Sequence, residues 1–128
     1  MLKRARILYV DDEPDIREIA SMSLELDPQL DVRTCACGQD ALETAREWQP
    51  DLILLDAMMP EMDGPQTLAA LKAKGDTSGI SVVFITARTQ TSEVEHFIEL
   101  GAVGVIAKPF DPMGLAGLVQ QYLQKPDA

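Results

Sequence analysis

The chain has few basic residues, no long apolar run and little cysteine or histidine. It contains 11 Lys and Arg against 21 Asp and Glu, a formal net charge of -10. Nucleic acids and anionic membranes bind clustered basic residues, so neither direct nucleic-acid binding nor membrane insertion is expected. No apolar stretch approaches the roughly 18 residues of a membrane span, and the chain opens on a short strand rather than a signal-peptide core. These absences predict a cytoplasmic location.

The two cysteines and the single histidine offer little chemistry. Cys35 and Cys37 are too close in sequence for an unstrained disulfide and lack the further ligands that zinc needs. Reduced structural thiols are the expectation. His96 lies in a helix-period segment far from the acidic positions, so we expect a solvated side chain without a catalytic part.

What the chain does have is four apolar runs that each end in a polar residue. Residues 7–10 precede Asp11 and Asp12, residues 52–55 precede Asp56, residues 82–85 precede Thr86, and residues 103–107 precede Lys108. Continuous branched-aliphatic runs are typical of parallel strands covered on both faces by helices. The carboxyl ends of such strands meet at one edge, where open α/β sheets bind ligands. The runs therefore predict one site.

Five helix-period segments alternate with the strands and complete the predicted fold. They cover approximately residues 14–28, 40–48, 63–75, 92–101 and 111–122, with a capping box expected at Ser92 and Glu95. A further strand at 31–35 alternates polar and apolar residues, which predicts an edge position. The prediction is a doubly wound, flavodoxin-like (βα)5 fold of order 2-1-3-4-5. We expect one domain over 1–128, with a core at about 5–124 and no output domain.

The grouped residue types point to phosphoryl chemistry with a metal ion. Three neighbouring carboxylates repel one another unless a cation neutralises them, and magnesium suits a few hard oxygen ligands. Asp56 is the candidate nucleophile, because a carboxylate forms an aspartyl phosphate when cations neutralise the phosphoryl oxygens. Thr86 and Lys108 would contact those oxygens. Any one of these residues alone is more simply explained as a helix cap or a surface lysine. Their occurrence together at the ends of the four central strands favours a functional site over separate structural roles.

These residues resemble the response-regulator receiver domain of the CheY-like type over essentially the whole chain. The matching motifs are Asp11-Asp12-Glu13, Asp56, Met59-Pro60 with Asp63-Gly64, Thr86-Ala87 and Lys108-Pro109-Phe110. The resemblance implies that Asp56 accepts a phosphoryl group from a histidine kinase or phosphotransfer protein. It also implies Mg²⁺ on Asp11, Asp12, Asp56 and the Met58 backbone carbonyl, and a cis peptide before Pro109. The protein would modify only itself, rather than act as an enzyme on a pool of substrate.

The chain departs from the family pattern in two features, which involve three residues. Val105 stands where the family usually has a movable aromatic ring, so we expect the signal to pass through backbone shifts after Thr86 and Lys108. Met58 and Arg88 flank the expected path of attacking water. The resemblance places the output surface on the fourth helix, last strand and fifth helix, with apolar contact from Ala102, Val103 and Leu118.

Other functions remain as alternatives. One is a degenerate receiver that docks partners without phosphorylation. Another is a phosphatase of the haloacid dehalogenase type, which needs a second Asp two residues after the first, where this chain has Met58, and a cap domain for which it has no room. A flavin or nucleotide carrier would need a Gly-rich loop after the first strand. The downstream partner and a homodimer formed on phosphorylation stay open.

Overall fold

Strands and helices alternate along the chain, as expected. A computed structural model describes residues 4–124. The strands are β1 (Ala5–Val10), β2 (Leu30–Cys35), β3 (Leu52–Asp56), β4 (Ser81–Thr86) and β5 (Gly104–Ala107). The helices are α1 (Pro14–Glu25), α2 (Gly38–Trp48), α3 (Gly64–Lys72), α4 (Thr91–Glu99) and α5 (Leu115–Gln124).

All strands of the sheet are parallel, in the order β2-β1-β3-β4-β5. This confirms the predicted flavodoxin-like topology. The edge position predicted for the second strand is also confirmed, and Arg33 and Thr34 of β2 are exposed. The terminal residues of the expected domain, 1–3 and 125–128, lie outside the described residues.

The sheet separates two hydrophobic clusters. Leu8, Ile53 and Phe84 belong to the cluster that also includes residues of α2 and α3. Tyr9 and Leu54, from the neighbouring positions, belong to the cluster that also includes residues of α1 and α5. Since the central strands are buried on both faces, they need apolar residues at every position, which explains their unbroken apolar runs.

Several predicted helix ends are wrong. The N-cap of α4 is Gln90, with no side-chain cap bond, so the predicted capping box at Ser92 and Glu95 does not form. The capping box observed in the structure is on α3: Gln66 N donates to Asp63 Oδ1 at 2.8 Å, and Asp63 N donates to Gln66 Oε1 at 3.0 Å. The spacing from Asp63 to Gln66 was the sequence signal for it.

The remaining helix bounds also shift. α1 ends at Glu25, before the expected Pro28, and α3 ends at Lys72 with Ala73 as its C-cap, rather than at Gly75. Residues 112–114 form a turn, so α5 begins at Leu115. Fraying and local turns make helix ends harder to predict than helix centres.

Other expectations about side chains are tested by burial. Cys35 and Cys37 are free thiols, and His96 is exposed. Val103 and Leu118 are exposed by 44% and 37%, but Ala102 is buried, so the expected surface role of Ala102 is wrong. Within residues 4–124, no helix has the length and apolar character to cross a membrane.

Candidate functional site

Three carboxylates meet at the carboxyl ends of two neighbouring strands. Asp11 and Asp12 follow β1, Asp56 is the last residue of β3, and β1 pairs with β3. One oxygen from each residue lies within 4.8 Å of the others. Asp11 and Asp56 are buried, and Asp12 is half-buried. Grouped hard oxygen donors fit a divalent cation such as Mg²⁺.

Lys108 provides a positive charge among these acids. Its Nζ lies 3.0 Å from Asp11 Oδ2, 3.5 Å from Asp56 Oδ2 and 3.9 Å from Glu13 Oε1. Burial alone would lower the pKa of Lys108, but the hydrogen bond to Asp11 and the surrounding negative charges outweigh it and raise that pKa. The ammonium therefore stays charged. The peptide bond from Lys108 to Pro109 is cis, as the resemblance implied.

Asp56 has an unusually weak tendency to ionise. Burial raises the pKa of Asp56 to about 6, and the charge of Asp11 adds to this effect. The hydrogen bond from the N–H of Met58 and the charge of Lys108 act in the opposite direction. Met58 N donates to Asp56 Oδ1 at 3.2 Å. A site that raises a carboxylate pKa in this way favours the arrival of a further positive charge.

Thr86 ends β4 beside the acidic group. Its side chain is buried, and its Oγ1 accepts a hydrogen bond from Arg88 N at 3.0 Å. Thr86, Met58 and Arg88 line one cavity of about 430 Å³ next to α4. Met58 itself is 66% exposed. Met58 and Arg88, the two residues predicted to flank the path of water, thus line the same cavity as Thr86.

Sequence reasoning missed Tyr9 as part of the site. Its side chain is fully buried, and its hydroxyl donates to Asp11 Oδ2 at 3.2 Å. Burial first, and the charge of Asp11 second, raise the pKa of Tyr9 well above its ordinary value, so the hydroxyl keeps its proton as a donor. The available signal was a hydroxyl-bearing residue inside the otherwise aliphatic run of residues 7–10, two positions before Asp11.

The cavity that Thr86 lines has an aromatic ring from α4 rather than from β5. Val105 is half-buried against the cluster that contains Phe84. Phe97 packs on Phe84, with ring centroids 4.6 Å apart, and lines the cavity that Thr86 also lines. A ring therefore lines the same cavity as Thr86, at a position that the sequence did not indicate.

The order of these motifs along the chain matches a known family. The sequence model of the response regulator receiver domain family matches residues 7–120 of this chain. The chain belongs to this receiver-domain family of two-component systems. Its receiver is 38% identical over 122 residues to the DNA-binding response regulator MtrA of Mycolicibacterium smegmatis, covering 95% of this chain and 52% of MtrA. The receiver thus spans about half the length of the curated relatives it matches.

Solved structures agree with this assignment. The receiver superimposes on the chemotaxis response regulator CheY4 of Vibrio cholerae with a TM-score of 0.85 and 30% identity, covering 93% of this chain and 98% of CheY4. For the receiver domain of NarL from Mycobacterium tuberculosis the TM-score is 0.86, with 27% identity and coverage of 98% and 100%. The fold of the receiver is therefore CheY-like.

Proposed function

We propose that this receiver is a phosphorylation-dependent switch in which Asp56 accepts a phosphoryl group from a sensor histidine kinase or phosphotransfer protein. The observation that carries the proposal is the Lys108 ammonium held between Asp11 and Asp56 at the buried carboxyl edge of the sheet. An ammonium beside a buried nucleophile stabilises the negative charge that a phosphoryl group brings.

The metal in this proposal is Mg²⁺, held by Asp11, Asp12, Asp56 and the backbone carbonyl of Met58. Support comes from the grouped carboxylate oxygens and from the raised pKa of Asp56, which is caused first by burial and also by the charge of Asp11. A bound cation would offset both effects. When bound, Mg²⁺ would neutralise the phosphoryl oxygens during transfer.

The chain's own residues each take a part in the transfer. A carboxylate oxygen of Asp56 forms a bond to phosphorus as the bond from phosphorus to the donor's imidazole nitrogen breaks, and the imidazole takes up a proton. Lys108 then pairs with a phosphoryl oxygen. Thr86 Oγ1 already accepts from Arg88 N, and its own hydrogen is available to donate to another phosphoryl oxygen. Attack by water on phosphorus later restores the carboxylate.

The hydrogen bonds around Thr86 supply a route to the surface. Arg88 N donates to the side chain of Thr86, and Lys108 N donates to its backbone carbonyl at 2.9 Å. A movement of Thr86 toward the phosphoryl group would pull on both following loops. This supports the proposed passage of the signal through backbone shifts, since Val105 has no ring to move.

The proposed output surface lies on α4, β5 and α5. Exposed apolar side chains there include Ile98, Val103 and Leu118, exposed by 45%, 44% and 37%. We propose a protein partner, or a second copy of the receiver, whose affinity changes with phosphorylation. MtrA is named as DNA-binding, so the absence of direct nucleic-acid contact is proposed for this chain alone.

The test is phosphorylation by a small acyl phosphate with Mg²⁺, followed by intact mass measurement. Wild type is expected to gain one phosphoryl group, and Asp56→Asn none. Asp40→Asn, a change at an exposed acid in the first turn of α2, serves as the control and is expected to be phosphorylated like wild type. An unmodified wild-type protein would favour the alternative of an unphosphorylated docking domain.

A further inference from the structure

We propose that Tyr9 is a positioning residue that orients Asp11 for the cation, an inference that rests on the metal site of the proposed function. Tyr9 lies on β1 with a fully buried side chain. Its hydroxyl is 3.2 Å from Asp11 Oδ2 and donates a hydrogen bond to it. Such hydrogen bonds from residues behind a metal ligand fix the orientation of the ligand.

The phenol ring belongs to a buried apolar cluster. Tyr9 pairs with Leu54 of β3 in the centre of the sheet. Its ring meets that of Phe110 in an edge contact, with centroids 6.4 Å apart and planes at 70°. Phe110 follows Lys108 and Pro109 in the chain. Tyr9 therefore contacts both Asp11 and the segment that carries Lys108. Because the ring is packed in the core, its hydroxyl keeps a fixed position.

The hydroxyl complements the other donors to Asp11. Glu13 N donates to Asp11 Oδ1 at 2.9 Å, while Tyr9 and Lys108 both donate to Oδ2. Lys108 is shared among Asp11, Asp56 and Glu13, so it is the donor that leaves when a phosphoryl group attracts it. Tyr9 is the donor that stays. A buried carboxylate that loses a donor pays the desolvation cost of its charge.

Phenylalanine at position 9 would change the competition between cation and ammonium. Among the described residues, Lys108 would then be the one side-chain donor left on Asp11 Oδ2, and it would be held there more tightly. The carboxylate would also lose its fixed orientation. Both effects weaken the binding of a divalent cation, because the cation must displace the ammonium and meet a correctly aimed oxygen.

The test is calorimetric titration of the unphosphorylated receiver with Mg²⁺. Tyr9→Phe is expected to raise the Kd for Mg²⁺ about tenfold, the lower end of the effects seen when a ligand's supporting hydrogen bond is removed. Tyr122→Phe is the matched control, since this hydroxyl on α5 lies near Val105 O, at 3.5 Å. Its Kd is expected to equal that of wild type. A folded Tyr9→Phe with an unchanged or lower Kd would overturn the proposal.

A second measurement separates positioning from a general loss of structure. The rate of phosphorylation by an acyl phosphate is measured against Mg²⁺ concentration for wild type and Tyr9→Phe. The Mg²⁺ concentration for half-maximal rate is expected to rise by the same factor as the Kd, with an unchanged plateau. A lowered plateau with an unchanged half-maximal concentration would contradict positioning of Asp11 for the cation.

Two further outcomes keep the inference and the proposed function apart. If Tyr9→Phe does not fold, Phe110→Leu takes its place, because it keeps the hydroxyl but removes the ring contact; its Kd is expected to rise, and an unchanged Kd overturns the inference. If wild type binds Mg²⁺ but Asp56 takes up no phosphoryl group, the proposed function fails while the calorimetric result still decides the role of Tyr9.

Discussion

Lys108 pairs with Asp11 across 97 positions of sequence: its Nζ donates to Asp11 Oδ2 at 3.0 Å. Lys108→Met would leave the buried Asp11 beside Asp56 without its positive partner. We expect a loss of unfolding free energy on the order of 3 kcal/mol in a chelating buffer, since breaking a buried pair strands a charge. Mg²⁺ is expected to restore most of it. Urea unfolding with and without Mg²⁺ measures both effects.

Lys72→Met is the control for this experiment. Lys72 is exposed, and its Nζ donates to Ser78 O at the surface. We expect a change of less than about 1 kcal/mol, independent of Mg²⁺. Equal losses in the two variants would mean that Lys108 contributes no more than an ordinary surface lysine.

The raised pKa of Asp56 makes stability depend on pH. Because the folded-state pKa of about 6 exceeds the ordinary aspartate pKa of 3.8, the folded protein binds the proton more tightly than the unfolded chain does. The contribution of the protonated group is complete below about pH 4 and is lost as pH rises through 6. In a chelating buffer, Asp56→Asn is therefore expected to be more stable than wild type at pH 7.5, by about 2–3 kcal/mol. That difference should vanish near pH 4.

Chemical denaturation of both proteins between pH 4 and 8 tests this dependence. In the proposed function Mg²⁺ binds the ionised carboxylate, so its addition should favour wild type and shrink or reverse the difference at pH 7.5. If the difference in free energy of unfolding between Asp56→Asn and wild type stays constant over this pH range, ionisation of Asp56 does not destabilise the folded protein.

Met58 is expected to slow loss of the phosphoryl group. Its exposed side chain lines the cavity beside Thr86 and offers water only a thioether, a weak acceptor. Met58→Asn places an amide there that hydrogen-bonds an attacking water, so the phosphoryl half-life should shorten. Intact mass after removal of the donor gives the half-life. Met113→Asn, at a methionine that is 79% exposed in the turn before α5, should keep the wild-type value. Equal half-lives for wild type and Met58→Asn would remove this role.

Phe97 is expected to anchor α4. In α4 none of the described residues is fully buried, so the half-buried Phe97 ring on Phe84 is its main apolar contact. Phe97→Ala should cost about 2 kcal/mol, less than for a fully buried ring. Amide exchange should rise within Thr91–Glu99 and not within α2. Uniform changes in exchange over both helices would contradict a local anchor.

Gly64 should not tolerate a methyl group. A Cβ there would lie 2.7 Å from Asp56 O and from Phe84 Cε1. Gly64→Ala is therefore expected to lower the free energy of unfolding by about 1–3 kcal/mol and to slow phosphorylation by displacing the end of β3. Gly117→Ala meets nothing within 4 Å on the exposed side of α5 and should stabilise the protein by up to about 1 kcal/mol. Thermal unfolding of both variants provides the comparison, and similar effects would contradict it.

The sheet was predictable because a strand that is buried on both faces needs apolar residues at every position, and each central strand therefore has an unbroken apolar run. Parallel strands then bring Asp11, Asp12, Asp56 and Lys108 to one edge, whatever lies between them in sequence. Tyr9 was not predictable in this way. The hydrogen bond from its hydroxyl to Asp11 is visible only in the folded structure. A period-two sequence pattern shows which face of the strand a residue lies on, but not whether its hydroxyl reaches Asp11.

The helix ends failed for a different reason. Ser92 and Glu95 have the capping spacing, yet the N-cap of α4 is Gln90, two residues before Ser92, so the pair lies inside the helix. Asp63 and Gln66 have equivalent spacing and do form the box. The local sequence is compatible with both capping boxes. Which of them forms depends on where the preceding loop enters each helix.

The pairing of Asp11 with Lys108 has a consequence during protein synthesis. The two residues are 97 positions apart, so an emerging polypeptide exposes its first acids long before their ammonium leaves the ribosome. Until then the carboxylates lack their internal counter-charge, and the sheet lacks its last strand. The acids and their ammonium can therefore come together only after Lys108 has left the ribosome, late in the synthesis of the receiver domain.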